Sequence, residues 1–208
     1  MTRHLAKCGQ MPASTQPAAG KRKPGMCFHL VVEGRPANAY WLHVAVPAAA
    51  PLSKLDEFLR GICLECCGHM SAFEIEGEQY TSAGMDGEMG GMFGEKNMRV
   101  PLQRVVAKGM KFLYEYDFGS TTALALKVVA LWEPGTPNNT VQLLARNEPL
   151  PSPCDKCGKG IATQICTECD CSGKGWLCDA CAETHECGSE MLLPVVNSPR
   201  AGVCAYTG

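Results

Sequence analysis

Three C-x2-C pairs stand in the last third of the chain, Cys154/Cys157, Cys166/Cys169 and Cys178/Cys181, followed by His185-x-Cys187. The whole array takes 34 residues, and the two loops between the three pairs are each eight residues long. Two sulfurs held two residues apart on one turn can bind a single metal ion, so four such pairs supply two tetrahedral sites of the kind zinc favours. Used in sequence, the pairs would make two separate knuckles, the second closing a loop of only three residues between its halves. Interleaved use relieves that strain. It gives Cys154, Cys157, Cys178 and Cys181 to one zinc, and Cys166, Cys169, His185 and Cys187 to the other. Cys171 is a ninth candidate for eight places and can stand in for Cys169, because a C-x-C pair also reaches one metal. Four protein ligands on each ion leave no open position for water, which makes the expected role of the two zinc ions structural.

Other uses of clustered cysteines fit less well. The closely spaced cysteine run of a ferredoxin is absent, and thioredoxin-like chemistry places one C-x2-C in a βαβ context. Disulfides need an oxidising compartment, yet the chain opens without an apolar secretory segment, so a cytoplasmic protein with no membrane association is expected. Cys171-Ser172-Gly173-Lys174-Gly175 matches half of the Hsp40-type chaperone zinc repeat, which fails at Glu168, where that repeat has cysteine.

A second cluster lies upstream, where Cys63, Cys66, Cys67 and His69 fall within seven residues. With Cys63 and Cys66 three apart on a predicted helix and His69 just beyond, these side chains could hold a metal or run thiol chemistry, though no fourth ligand is near in sequence. Read plainly, Cys63 and Cys66 are small core residues and His69 caps a helix end. Tyr114, Tyr116 and Asp117 form the remaining polar group. Should a ligand groove exist, they are expected to line it with Cys66 and His69, the alternative being tyrosines in the core and a turn-forming aspartate. His29 and His43 read as satisfied histidines on strands. The sequence shows no Ser/His/Asp order, phosphate loop or paired-carboxylate motif.

The elements that must carry these residues follow from periodicity. Residues 26–33 and 40–46 are rich in β-branched and aromatic side chains and are joined by Gly34-Arg35-Pro36, a hairpin signal. Leu55, Phe58, Leu59 and Ile62 recur at helical spacing after a capping-box-like Ser53 and Asp56, so the main helix is expected over about 53–66. Short strands are predicted at 72–75 and 79–81, a mobile glycine-rich loop at 82–97, and a helical turn at 102–107. Alternation in 110–116, with Phe112, Tyr114 and Tyr116 on one face, predicts a strand that pairs through the 117–120 turn with 121–131. A last strand is expected at 141–145. The fold class is therefore α+β, an antiparallel sheet with one main helix and a small zinc-stabilised C-terminal domain.

The expected organisation is a basic, disordered arm over 1–25, an α+β domain over 26–148, a proline-rich linker over 149–153, the two-zinc module over 154–190 and a tail over 191–208. Pro149, Pro151 and Pro153 mark the linker. The arm holds Arg3, Lys7, Lys21, Arg22 and Lys23 and no acid, although the whole chain carries a formal charge of −2. Residues 154–190 hold three basic and seven acidic side chains. Two zinc ions and seven thiolates would bring that segment from −4 to near −7, a surface that repels a phosphate backbone. The zinc module is thus expected to touch protein and not nucleic acid.

Trp41 before its strand, Leu52-Ser53-Lys54-Leu55, Gly68-His69-Met70-Ser71-Ala72-Phe73 and the stretch from Lys111 to Ser120 with Tyr114-Glu115-Tyr116-Asp117-Phe118-Gly119 resemble the plasmid ORF-three-like family named from the Ri plasmid. The resemblance covers about residues 26–146 and implies an α+β fold but no reaction, since that family is largely uncharacterised. Many members continue after the Asp-Phe-Gly turn with acidic, Trp and His residues, where this chain has Thr121-Thr122-Ala123, so no site is carried over from them. Over 154–187 the ligand spacing resembles B-box-like and related treble-clef zinc domains, whose ligands alternate between two ions. Together these readings describe a non-enzymatic zinc-binding protein acting through protein contacts. The alternatives are a metal- or thiol-dependent enzyme centred on Cys66, Cys67, His69 and Asp117, or a mobile-element accessory protein that meets nucleic acid through its basic arm.

Overall fold

The structure, a computed structural model, describes residues 25–35, 39–82, 96–133 and 139–208. The expected basic arm, but for its last residue, and most of the expected glycine-rich loop lie outside the described residues. Two compact units emerge, one of Met1–Leu59 with Met70–Asn147 and the other of Arg60–His69 with Glu148–Gly208. Residues 60–69, which the sequence places in the first domain, therefore group with the cysteine-rich unit.

The first unit is a mainly antiparallel sheet. Its strands are β1 (Cys27–Arg35), β2 (Trp41–Pro47), β3 (Ser71–Ile75), β4 (Glu78–Thr81), β5 (Lys96–Asn97), β6 (Lys111–Tyr116), β7 (Thr122–Trp132) and β8 (Gln142–Arg146). They lie in the order β5-β4-β3-β6-β7-β1-β2-β8, and only β4 and β5 run parallel. The expected hairpins β1–β2 and β6–β7 both form, β1 and β2 as β-rich runs buried along most of their length and β6 and β7 as runs that alternate between a buried and a more open face. In β6, Phe112, Tyr114 and Tyr116 are buried and Lys111 is exposed. The ladder slips beside His29 against β7 and beside His43 against β8. Such bulges re-aim side chains, and here both imidazoles are buried, with His29 Nε2 and His43 Nδ1 2.8 Å apart.

The main helix, α1 (Leu52–Cys63), buries Leu52, Leu55 and Leu59 completely. It ends three residues before the expected Cys66, so Cys63 and Cys66 do not share a helical face; Cys63 is buried and Cys66 lies in the turn beyond. The capping-box expectation is also corrected. The first helical N–H groups, of Leu52 and Ser53, are met by the carbonyls of Val100 and Met98, while Asp56 turns inward and accepts the hydroxyls of Ser71 at 2.6 Å and Tyr114 at 2.7 Å. A buried carboxylate thereby ties the helix to β3 and β6.

In the second unit β9 (Gln164–Cys166) sits between β10 (Trp176–Leu177) and β11 (Leu192–Pro194), all antiparallel. Two single-turn helices, α2 (Thr167–Asp170) and α3 (Asp179–Ala182), follow Cys166 and Cys178 directly. One buried cluster joins Cys154, Cys166 and Leu177, packed by more cysteines, Ala182, Met191 and Leu192, and Leu64, Ala162, Ile165 and Tyr206 are buried in the same unit. Among the described residues no helix is long and apolar enough to cross a membrane.

Candidate metal centres

Each cysteine pair of the array is positioned by its own backbone turn. Cys154 leads a tight turn in which its N–H reaches the Gly160 carbonyl and its carbonyl receives Gly158 N–H, so Cys157 folds back beside it. Cys166 and Cys178 stand just before α2 and α3, and Cys169 and Cys181 come one turn later, on the same side as their partners. Gly160 and Gly175 make room for this. A Cβ on Gly160 would lie 2.7 Å from Cys178 Cβ, and one on Gly175 would lie 2.7 Å from the Asp170 backbone and 2.8 Å from the Cys166 carbonyl oxygen.

The result is two interleaved groups, Cys154, Cys157, Cys178 and Cys181 in one, and Cys166, Cys169, His185 and Cys187 in the other. Within each group all four donor atoms lie within 4.8 Å of one another, close enough to hold one metal ion. Cys157 and Cys178 sulfurs are 3.9 Å apart, Cys169 and Cys187 sulfurs 3.7 Å, and Cys169 Sγ is 3.5 Å from His185 Nε2. Metal–sulfur bonds of about 2.3 Å and metal–nitrogen bonds of about 2.0–2.1 Å at tetrahedral angles give edges of about 3.8 Å and about 3.5 Å. Cys171 stays outside, its thiol exposed and directed at the Glu168 carbonyl oxygen, 3.2 Å away.

Electrostatics in these groups are divided. Backbone N–H groups, that of Cys178 foremost, bring the Cys154 thiol down to about 6, and those of Gly160 and Lys159 lower Cys157. Cys169 is pushed up to about 12 by sharing hydrogen bonds with Cys187 and Cys166, and Cys181 to about 12 by burial and its neighbours. Packed thiols resist ionising together, and a divalent cation at the centre removes that resistance. The donor set of thiolates and imidazole suits a soft or borderline metal over magnesium or calcium.

A third group gathers where the sequence offered Cys63, Cys66, Cys67 and His69, but the buried Cys63 is not part of it. Cys66, Cys67 and His69 meet Cys204, again with all donors within 4.8 Å. Cys204 carries no spacing signal, since it is 137 residues from Cys67, and sequence reasoning missed it. The expected groove residues go elsewhere. Tyr114 and Tyr116 are fully buried in the first unit and serve as core, a burial their alternation with outward residues in β6 requires. Asp117 is 6% exposed and holds a turn: its backbone is left-handed (φ 63°) and its Oδ1 accepts Gly119 N–H at 3.0 Å.

A family model described as "Plasmid pRiA4b ORF-3-like protein" matches residues 30–159, which takes in most of the sheet unit, residues 60–69 and the first cysteine pair of the array, and stops short of the array's other cysteines. Among solved structures, a protein of unknown function, MM3350, from Methanosarcina mazei Go1 is similar in fold, with a TM-score of 0.50 at 17% identity over 61% of this chain and 72% of that one. No curated protein matches.

Proposed function

We propose that this chain, which belongs to the plasmid pRiA4b ORF-3-like family, is a non-enzymatic factor whose C-terminal unit is folded by two zinc ions and works by contacting protein. The carrying observation is that eight donors form two interleaved groups of four, and that two of those donors, Cys154 and Cys166, are themselves buried beside Leu177 in a cluster otherwise packed largely by cysteines. A cluster built largely from ligand side chains packs fully only when the metal sites close, so metal-binding energy here is folding energy. With all four positions of each ion filled by protein, the metals have no place for a substrate. The acidic surroundings of the loaded module favour a protein surface over nucleic acid.

Metal counting on the purified full chain tests this. Two zinc equivalents held by these eight donors, one of them lost in Cys154→Ser together with structure in the C-terminal unit, support the reading. A Cys154→Ser protein that keeps its full metal complement overturns it. Duplex DNA binding that survives removal of residues 1–25 would sink the charge argument and favour the nucleic-acid alternative.

A further inference from the structure

We propose that Cys66, Cys67, His69 and Cys204 form a third zinc site, with three thiolates and one imidazole as its ligands. The sulfurs of Cys66 and Cys67 are 3.6 Å apart, those of Cys67 and Cys204 3.5 Å, and Cys204 Sγ is 3.7 Å from His69 Nε2. These match the edges expected of a zinc tetrahedron, about 3.8 Å between sulfurs and about 3.5 Å from sulfur to nitrogen. They also match the edges in the two groups of the cysteine array. One edge is tighter, Cys67 Sγ to His69 Nε2 at 2.9 Å, a thiol–imidazole hydrogen bond that opens by about 0.6 Å when both atoms turn to a common ion.

The surrounding groups hold the ligands in place. Gly68, with φ at 77°, reverses the chain between Cys67 and His69, and its N–H is bound by Glu65 at 2.6 Å. Arg60 grips the other Glu65 oxygen at 2.7 Å and the His69 carbonyl, so the turn is braced from both ends. From the C-terminal side, Ser198 donates to the Cys63 carbonyl at 2.6 Å and accepts Arg200 N–H at 2.8 Å. Arg200 is completely buried, and its Nη2 donates to Cys66 Sγ at 3.4 Å. A buried guanidinium aimed at a sulfur favours a thiolate there. Three thiolates around Zn²⁺ leave one negative charge, which Arg200 balances, as a ligand's supporting partners do elsewhere.

The site joins residues 135 apart, His69 and Cys204, within the second unit. Its ligands Cys67 and Cys204 are exposed, so this ion exchanges faster than the two in the array. The test uses the full chain, purified with a non-thiol reductant, and counts zinc by elemental analysis. Wild type should hold three equivalents, Cys204→Ser and His69→Ala one fewer each, and Cys171→Ser the full three. Two equivalents in both wild type and Cys204→Ser would overturn the third site and leave the two-zinc reading standing. A count of one that falls to zero in Cys204→Ser would support it and remove the other reading instead. Alkylation of the zinc-loaded wild type gives an answer that does not depend on a variant folding. Cys67 and Cys204 should resist iodoacetamide until a chelator is added while Cys171 reacts at once, and equal rates at Cys67, Cys171 and Cys204 would overturn the proposal.

Discussion

The imidazoles of His29 and His43 share one hydrogen bond inside the sheet, flanked edge-on by Trp132 and Trp41. Burial and the neighbouring ring hold His29 down to about 4, and burial lowers His43 as well. A histidine depressed from its ordinary value of about 6.5 leaves the unfolded chain binding more protons between pH 6.5 and 4. Its stabilising effect is complete above that window, falls as the pH drops through it, and amounts to at most about 3 kcal/mol. Proton NMR should show the His29 ring still neutral at pH 5.5, and a midpoint near 6.5 would contradict the burial argument. Asp56 is the other buried group with a clear consequence. Asp56→Ala removes the acceptor for two buried hydroxyls and should cost about 2–4 kcal/mol in denaturant unfolding. Periodicity placed Asp56 in a helix near its start, but its partners, 15 and 58 residues away, came only with the fold.

At the scale of elements, two glycines separate local from tertiary effects. Gly61 lies in α1 with open space where a Cβ would go, so Gly61→Ala should stabilise the protein by about 0.5–1 kcal/mol, read as a raised melting temperature. Gly175 meets the backbone at the start of the second cysteine group, which cannot give way as a side chain tip can. Gly175→Ala should therefore cost about 2–3 kcal/mol and weaken zinc retention, measured by competition with a chromogenic chelator. The strands are largely readable in the sequence, since β-branched and aromatic content marks β1 and β2 and alternation marks β6, and both signals are properties of neighbouring residues. The end of α1 was not. Helical spacing runs through Cys63 to Cys66, but the turn braced by Arg60, Glu65 and Gly68 stops it sooner.

For the whole molecule, the two units differ in what holds them. The sheet unit buries most of the large apolar side chains, from Leu30 and Leu42 to Phe73, Leu124 and Val128, whereas the cysteine-rich unit has fewer of them and packs clustered cysteines around Leu177. Adding a strong chelator should abolish amide protection at β9, β10 and β11 in hydrogen exchange while β1, β6 and β7 stay protected. Loss of protection across both units together would show that the metals support the entire chain. The sequence by itself determined the α+β class, the principal hairpins, nine candidates for eight ligand places and a spacing that favours interleaved pairs, because residue patterning and C-x2-C spacing are short-range properties of the backbone. Tertiary structure alone decided that Cys169 and not Cys171 enters the second group, that the tyrosines are core, and that Cys204 reaches Cys67 and His69. Contacts across more than a hundred residues arise from packing and leave no periodic trace in the chain.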